Sequence, residues 1–172
     1  TAASISVAGV FAHAAIVLKE FPSLSSYAEE LENRAQASWN YVAPRLDNRS
    51  QLETACDDGS IVAGDADWDV LKQIEHAVIA AIYLYQITGE QSFNQYVQAT
   101  ARETEPLMVG FWGGYKLPLM DALMVYTQLP GREATLASTI SNSFSQAARN
   151  NYNGFFGFNE ADLFRAYMPD WA

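Results

Sequence analysis

Cysteine is almost missing from this 172-residue chain: Cys56 stands alone. A single thiol can form neither an intrachain disulfide nor a cysteine-based zinc site, so neither kind of staple is expected in the fold. Histidine is equally scarce. His13 and His76 are the two, and they do not share a metal-ligand spacing such as His-x-x-x-His. No metal or other cofactor is expected. Basic residues number 10 against 20 acidic ones, a formal net charge of -10. The basic residues are scattered, and an acidic protein repels phosphate backbones, so nucleic acid is not an expected partner. The longest apolar stretch, Val7 to Leu18, is interrupted by His13 and reads as too short to span a bilayer. It lacks the basic flank and small-residue cleavage site of a signal peptide, so a membrane partner is not expected and no compartment is assigned. Phosphate-loop, dinucleotide and Gly-x-Ser-x-Gly nucleophile patterns are also lacking.

What is present is apolar and helical in rhythm. Hydrophobic residues make up 49% of the chain, enough for a sizeable core, while charged residues are only 17%. So little charge on a small domain implies that some surface meets a partner chain or further sequence. A first helix is expected from about Ser4 to Lys19, apolar nearly all round and opening abruptly, as an internal segment would. Ser26 and Glu29 form a capping-box pattern for a second helix, with Tyr27, Leu31, Ala35, Trp39 and Val42 on one face and an end before Pro44. Leu46 to Gly64 reads as a long polar loop containing the sequon Asn48-Arg49-Ser50. A third helix should start at Asp67 or Asp69 and stop at Gly89, and its run from Ala77 to Tyr85 is apolar on every side. A fourth runs from Gln91 to about Thr104, ended by Pro106. A fifth carries Leu117, Met120, Leu123 and Met124, and a sixth runs from about Glu133 to Arg149. The expected class is all-α, with six helices in three antiparallel hairpins. In the first two pairs an all-apolar helix sits beside an amphipathic one, as concentric inner and outer helices require.

The acid-rich stretch holds Asp57, Asp58, Asp65, Asp67 and Asp69. Asp65-x-Asp67-x-Asp69 looks like the opening of a calcium loop, but Val70 replaces the required glycine and His76 the required glutamate. Helix capping and solvated charge account for these residues. Glu75 is less usual, since it heads the apolar stretch of the third helix, where a carboxylate needs a partner. A structural ion pair or hydrogen bond is one role for it and direct substrate contact is the other. Aromatic residues make up 13% of the chain, and many fall in expected loops: Trp68, Phe111, Trp112, Tyr115 and the tail from Tyr152 to Trp171. Such rings suit the apolar C–H faces of sugars, or they pack among themselves.

Four stretches resemble family 9 glycoside hydrolases, the endoglucanase-related family built on an (α/α)6 barrel. They are His13-Ala14-Ala15 to Val42, with YAEELENRAQASWNYV, then EHAVIAAIYLYQITGE from Glu75 to Glu90, GFWGGYKLPLMDALMVY from Gly110 to Tyr126, and the tail FFGFNEADLFRAYMPDWA. The Leu-Tyr-x-x-Thr-Gly ending of the second is the most specific. His76 stands where the family usually has a second acid, and Gly113 or Gly114 replaces the aspartate of a Trp-Asp-x-Lys segment. The resemblance implies a middle-to-late piece of the barrel, with residues 1–172 as one partial catalytic domain. It implies a gluco- or chito-oligosaccharide or polysaccharide as partner, with Trp112, Trp68, Tyr115 and Glu75 as substrate-binding residues. In that family the catalytic aspartate pair precedes the matched region and the catalytic glutamate follows it, so no catalytic residue is expected here. Val62-Ala63-Gly64-Asp65 only echoes the Asp-Ala-Gly-Asp motif, because its first aspartate is missing. An intact enzyme of this kind would invert the anomeric carbon. A piece of a barrel should also leave an apolar face for the rest of the barrel or for another copy of the chain. A free-standing α-hairpin interaction module would instead have polar caps, and a helical-barrel epimerase or lyase would want more histidine or tyrosine bases.

Overall fold

Asp69 and Gly89 bracket the most enclosed helix among the described residues. The Asp69 carboxylate accepts the Lys72 backbone N–H at 2.7 Å, and Gly89 ends the helix in the left-handed region at φ 73°. The computed structural model describes residues 1–55 and 67–150, and every regular element among them is helical. In chain order these are α1 (Ala2–Lys19), α2 (Ser25–Asp47), α3 (Val70–Thr88), α4 (Gln91–Thr100), α5 (Glu105–Met108), α6 (Leu117–Tyr126) and α7 (Ala134–Asn150), with short 3-10 turns between them. The six expected helices are all there, and α5 is an addition. The chain divides into two compact units, Thr1–Val97 and Gln98–Ala172.

In the first unit α1 and α2 form a hairpin, and α1 also packs along α3. The stripe Ala28, Leu31, Ala35, Trp39, Val42 and Leu46 is the buried side of α2. Trp39 meets Phe93 and Tyr96 edge-on, with ring centroids 5.5 and 5.1 Å apart. The outer side of α2 carries charge, including Glu30 and Arg34 paired one turn apart at 2.6 Å. Small residues let α1 approach α3 closely. A Cβ built on Gly9 would sit 3.5 Å from the Ala80 backbone, an ordinary van der Waals distance. Every residue of α3 from Ala77 to Tyr85 is buried, as its all-round apolarity requires.

Three local expectations change. The capping box at Ser26 does not start α2. A 3-10 turn, Pro22–Leu24, runs directly into the helix at Ser25, so the chain is already helical when it reaches Ser26. Pro44 does not end α2 either. It forfeits one backbone bond on the solvent side, Arg45 Nη1 donates to the Tyr41 carbonyl at 2.8 Å, and buried Leu46 anchors the last turn. Third, the apolarity of α1 implies cover on all sides, yet only Ala2, Ile5, Ala8, Gly9, Ala12 and Ala15 are buried. On the opposite face Val10 and Val17 are 61% and 50% exposed. At 18 residues and a mean hydropathy of 1.7, α1 is longer than the Val7–Leu18 stretch suggests, and is long and apolar enough to cross a membrane by length and composition alone. Its packing against α2 and α3 gives that apolarity a core role in this fold.

In the second unit α4 gives way to a 3-10 turn, Ala101–Glu103, and Thr104 Oγ1 donates to the Ala101 carbonyl at 2.7 Å. Pro106 lies in the first turn of α5, where its missing N–H costs nothing, so it starts a helix as well as following one. The buried side chains of α6 include Leu119, Met120, Leu123 and Tyr126, and those of α7 include Leu136, Ile140 and Ala147. Glu133 accepts the Thr135 and Leu136 N–H groups at 2.7 and 2.6 Å, and Tyr126 Oη accepts the Glu133 N–H at 3.0 Å. The two backbone donors hold the Glu133 carboxyl below its ordinary value of 4.5.

Candidate functional site

The candidate residues fall into two clusters, one in each unit. The first is built on the opening turns of α3. Trp68 precedes the capping residue Asp69, is half-buried, and lies over side chains that α3 presents at four-residue spacing. Its ring meets His76 with centroids 4.2 Å apart and a 35° tilt, and the Lys72 ammonium sits 4.8 Å from its centre. Between these two, Gln73 is wholly buried. Its Nε2 donates to the Glu53 carbonyl at 2.8 Å and to the Trp68 carbonyl at 2.9 Å. Glu75 follows on the same helix and is only 3% exposed. Trp68 is therefore an aromatic plate at the edge of solvent, fixed from below by α3, and Glu75 belongs to the enclosed part of that helix.

The second cluster lies in the connection between α5 and α6. Trp112 takes a different place from that of a loop ring facing solvent, because it is entirely buried. Its Nε1 donates to Ser143 Oγ at 2.9 Å, and that hydroxyl donates on to the Pro106 carbonyl at 2.8 Å. Phe144 meets the indole edge-on at 5.2 Å. The indole ties α5 and the connection to α7, the usual arrangement for a buried tryptophan with a polar edge. Gly113 lies under the Phe111 ring, and a Cβ there would require that ring to shift. Tyr115 stands 74% exposed, and Lys116 pairs with Glu105 at 3.0 Å. Of the two expected substrate-binding rings in this cluster, Trp112 and Tyr115, Tyr115 has surface to offer a ligand.

Both histidines lie against aromatic rings: His76 against Trp68, and His13, although exposed, against Tyr83. His13 lies parallel to Tyr83 at 4.3 Å and 7°. Among the described residues no group of three His, Cys, Asp or Glu side chains could hold a metal ion. Asp69 is used as a helix cap; Asp57, Asp58, Asp65, the Ala63-Gly64-Asp65 echo, Cys56 and the aromatic tail lie outside the described residues. His13 also borders a shallow apolar depression on α1 with Val10, Ala14, Val17 and Leu18.

Sequence reasoning missed two residues that organise these clusters. Gln73 carried a signal: it is a neutral polar residue one turn into an apolar helix, where burial demands partners. Ser143 sits seven residues after Leu136 and three after Ile140, on the buried stripe of α7, and a serine there is read most simply as a hydrogen-bonding member of the core.

The family model described as Glycosyl hydrolase family 9 matches residues 1–166 of the chain. No curated protein and no solved structure gives a significant match.

Proposed function

The chain belongs to glycosyl hydrolase family 9, whose (α/α)6 barrel suits its all-helical fold, and from that premise we infer that it forms part of the wall of a hydrolase acting on β-1,4-linked glycans. The substrate class is a cellulose- or chitosan-type oligosaccharide or polysaccharide. The observation that carries the reading is the family match along nearly the whole chain. Both units belong, in this reading, to one catalytic domain.

Trp68 and Tyr115 supply aromatic surface for sugar rings. Stacking needs one open indole face, and the Lys72 ammonium, 4.8 Å from the ring centre, adds only about 0.5–1 kcal/mol to what holds the ring. Glu75 and Trp112 are enclosed, so they act on the subsites by holding the helices that present them. The carboxylates that protonate the leaving oxygen and activate water are contributed from outside this chain, on opposite sides of the scissile bond, as inversion requires. The open apolar face of α1 supports this division of labour. Val10, Ala14 and Val17 offer a surface that further barrel helices, or a second copy, would cover, and a free-standing module has no use for it.

Reducing-sugar release from β-1,4-glucan and chitosan oligosaccharides tests the reading. The 172 residues alone should release none, and the same residues with flanking barrel segments should release sugar of inverted anomeric configuration. Hydrolysis by the chain alone would show that its own carboxylates do the work.

A further inference from the structure

We propose that Gln73 is a positioning residue for the Trp68 indole, and through it for the sugar subsite. This rests on the reading that Trp68 stacks on substrate. The geometry is specific. Trp68 lies just before α3, and a residue there could turn its ring in several directions. Three side chains from the first two turns of α3 restrict it. His76 and Lys72 meet the ring, and Gln73 holds the backbone from which the ring hangs. The same amide group also binds the Glu53 carbonyl, so one buried NH2 joins the chain entering the 56–66 stretch to the chain leaving it.

The hydrogen-bond inventory explains why glutamine fills this role. Two carbonyls need two donors on one atom, and a primary amide supplies both from a neutral group. Glutamate would bring acceptors to acceptors and a charge into a buried site. The Gln73 Oε1 has no hydrogen-bond partner among the described residues, although the residue is wholly buried. An amide whose oxygen finds no partner among the described residues is explained by what its NH2 does. Packing alone would be served as well by leucine, which would remove the unpaired oxygen.

The test compares Gln73→Leu and the milder Gln73→Asn, whose shorter arm cannot span both carbonyls. Trp68 is one of four tryptophans, so its signal is taken as the difference from the matching Trp68→Phe protein. Acrylamide quenching of Trp68 should rise in Gln73→Leu and rise less in Gln73→Asn. Binding of β-1,4-gluco-oligosaccharide, read from Trp68 emission, should weaken about threefold to tenfold, the ordering cost of one side chain. Circular dichroism should show unchanged helix content, and Gln73→Asn carries the test if Gln73→Leu does not fold. Unchanged quenching in folded variants would overturn the positioning role, because a merely structural glutamine would lower melting temperature and leave the indole where it was. If the parent chain shows no sugar-dependent Trp68 signal, the sugar reading fails, and the quenching result still decides where Gln73 acts.

Discussion

Helices α1 and α3 both carry long apolar stretches and differ in their surroundings. Only α1 is apolar enough along its whole length to match a membrane helix, α3 is apolar on every side from Ala77 to Tyr85, and the two pack directly on each other. Yet Ala77 to Tyr85 of α3 is buried without a break, while α1 shows Val10 and Val17 to solvent. Apolarity all round therefore marks a helix that needs cover. It does not say whether the cover comes from nearby segments or from elsewhere. In α1 the buried side is made mostly of alanines and one glycine, which allow close approach, and the larger valines point the other way. That arrangement is costly on a finished surface and sensible on a face awaiting neighbours.

Four substitutions sharpen the contrast. The largest effect is expected inside α3. Ile82→Ala removes a fully buried side chain and should lower unfolding free energy by about 2–5 kcal/mol in urea melts. A loss below that range would mean α3 is less enclosed than described. Next is the seam between the two helices. Gly9→Ala should raise stability by about 0.5–1 kcal/mol, because an alanine favours the helix and its methyl fits at ordinary contact distance from Ala80. A destabilised protein would mean the helices are already at closest approach. Third, Lys72→Ala should weaken oligosaccharide binding about twofold to fivefold in fluorescence titrations, by removing one of the side chains that hold the Trp68 ring. Smallest of all, Val17→Ser on the open face of α1 should change the stability of the 172-residue chain by no more than about 0.5 kcal/mol, in contrast to Ile82→Ala.

A pH measurement bears on the second unit. The Glu133 carboxyl is held below 4.5 by the two backbone N–H groups that begin α7. A group with a lowered folded pKa contributes stability above its unfolded value and loses it as pH falls through the folded one. Glu133→Gln should therefore melt earlier than the parent at pH 7, and the two melting temperatures should converge in acid below pH 4.5.

Much of this was legible because local chemistry and long-range packing agreed. Asp69 and Gly89 mark α3 since a carboxylate cap and a left-handed glycine act within a single turn. The stripe from Leu31 to Val42 marks α2 because its period is that of the helix. Legibility failed where a local signal lost to context. Pro44 reads as a stop, and Leu46 burial together with the Arg45 bond carries the helix past it. Trp112 reads as a loop ring, and Ser143, distant in sequence, draws it into the core. Gln73 acts on carbonyls of Glu53 and Trp68, and backbone acceptors leave no trace in side-chain patterns. An open apolar face was legible from the shortage of charge and from the resemblance to a barrel segment, but its place on α1 was not, because an all-apolar helix reads as fully covered.

The central claim is that the outer side of α1 becomes interior in the complete hydrolase. Thiol labelling measures this directly, using Val17→Cys with Cys56 replaced by serine so that one thiol remains. In the 172-residue chain the introduced thiol should react with maleimide at nearly the rate of a free thiol, since Val17 is half exposed. In the protein extended by its flanking barrel helices the same thiol should be protected. Equal, rapid labelling in both would contradict the account.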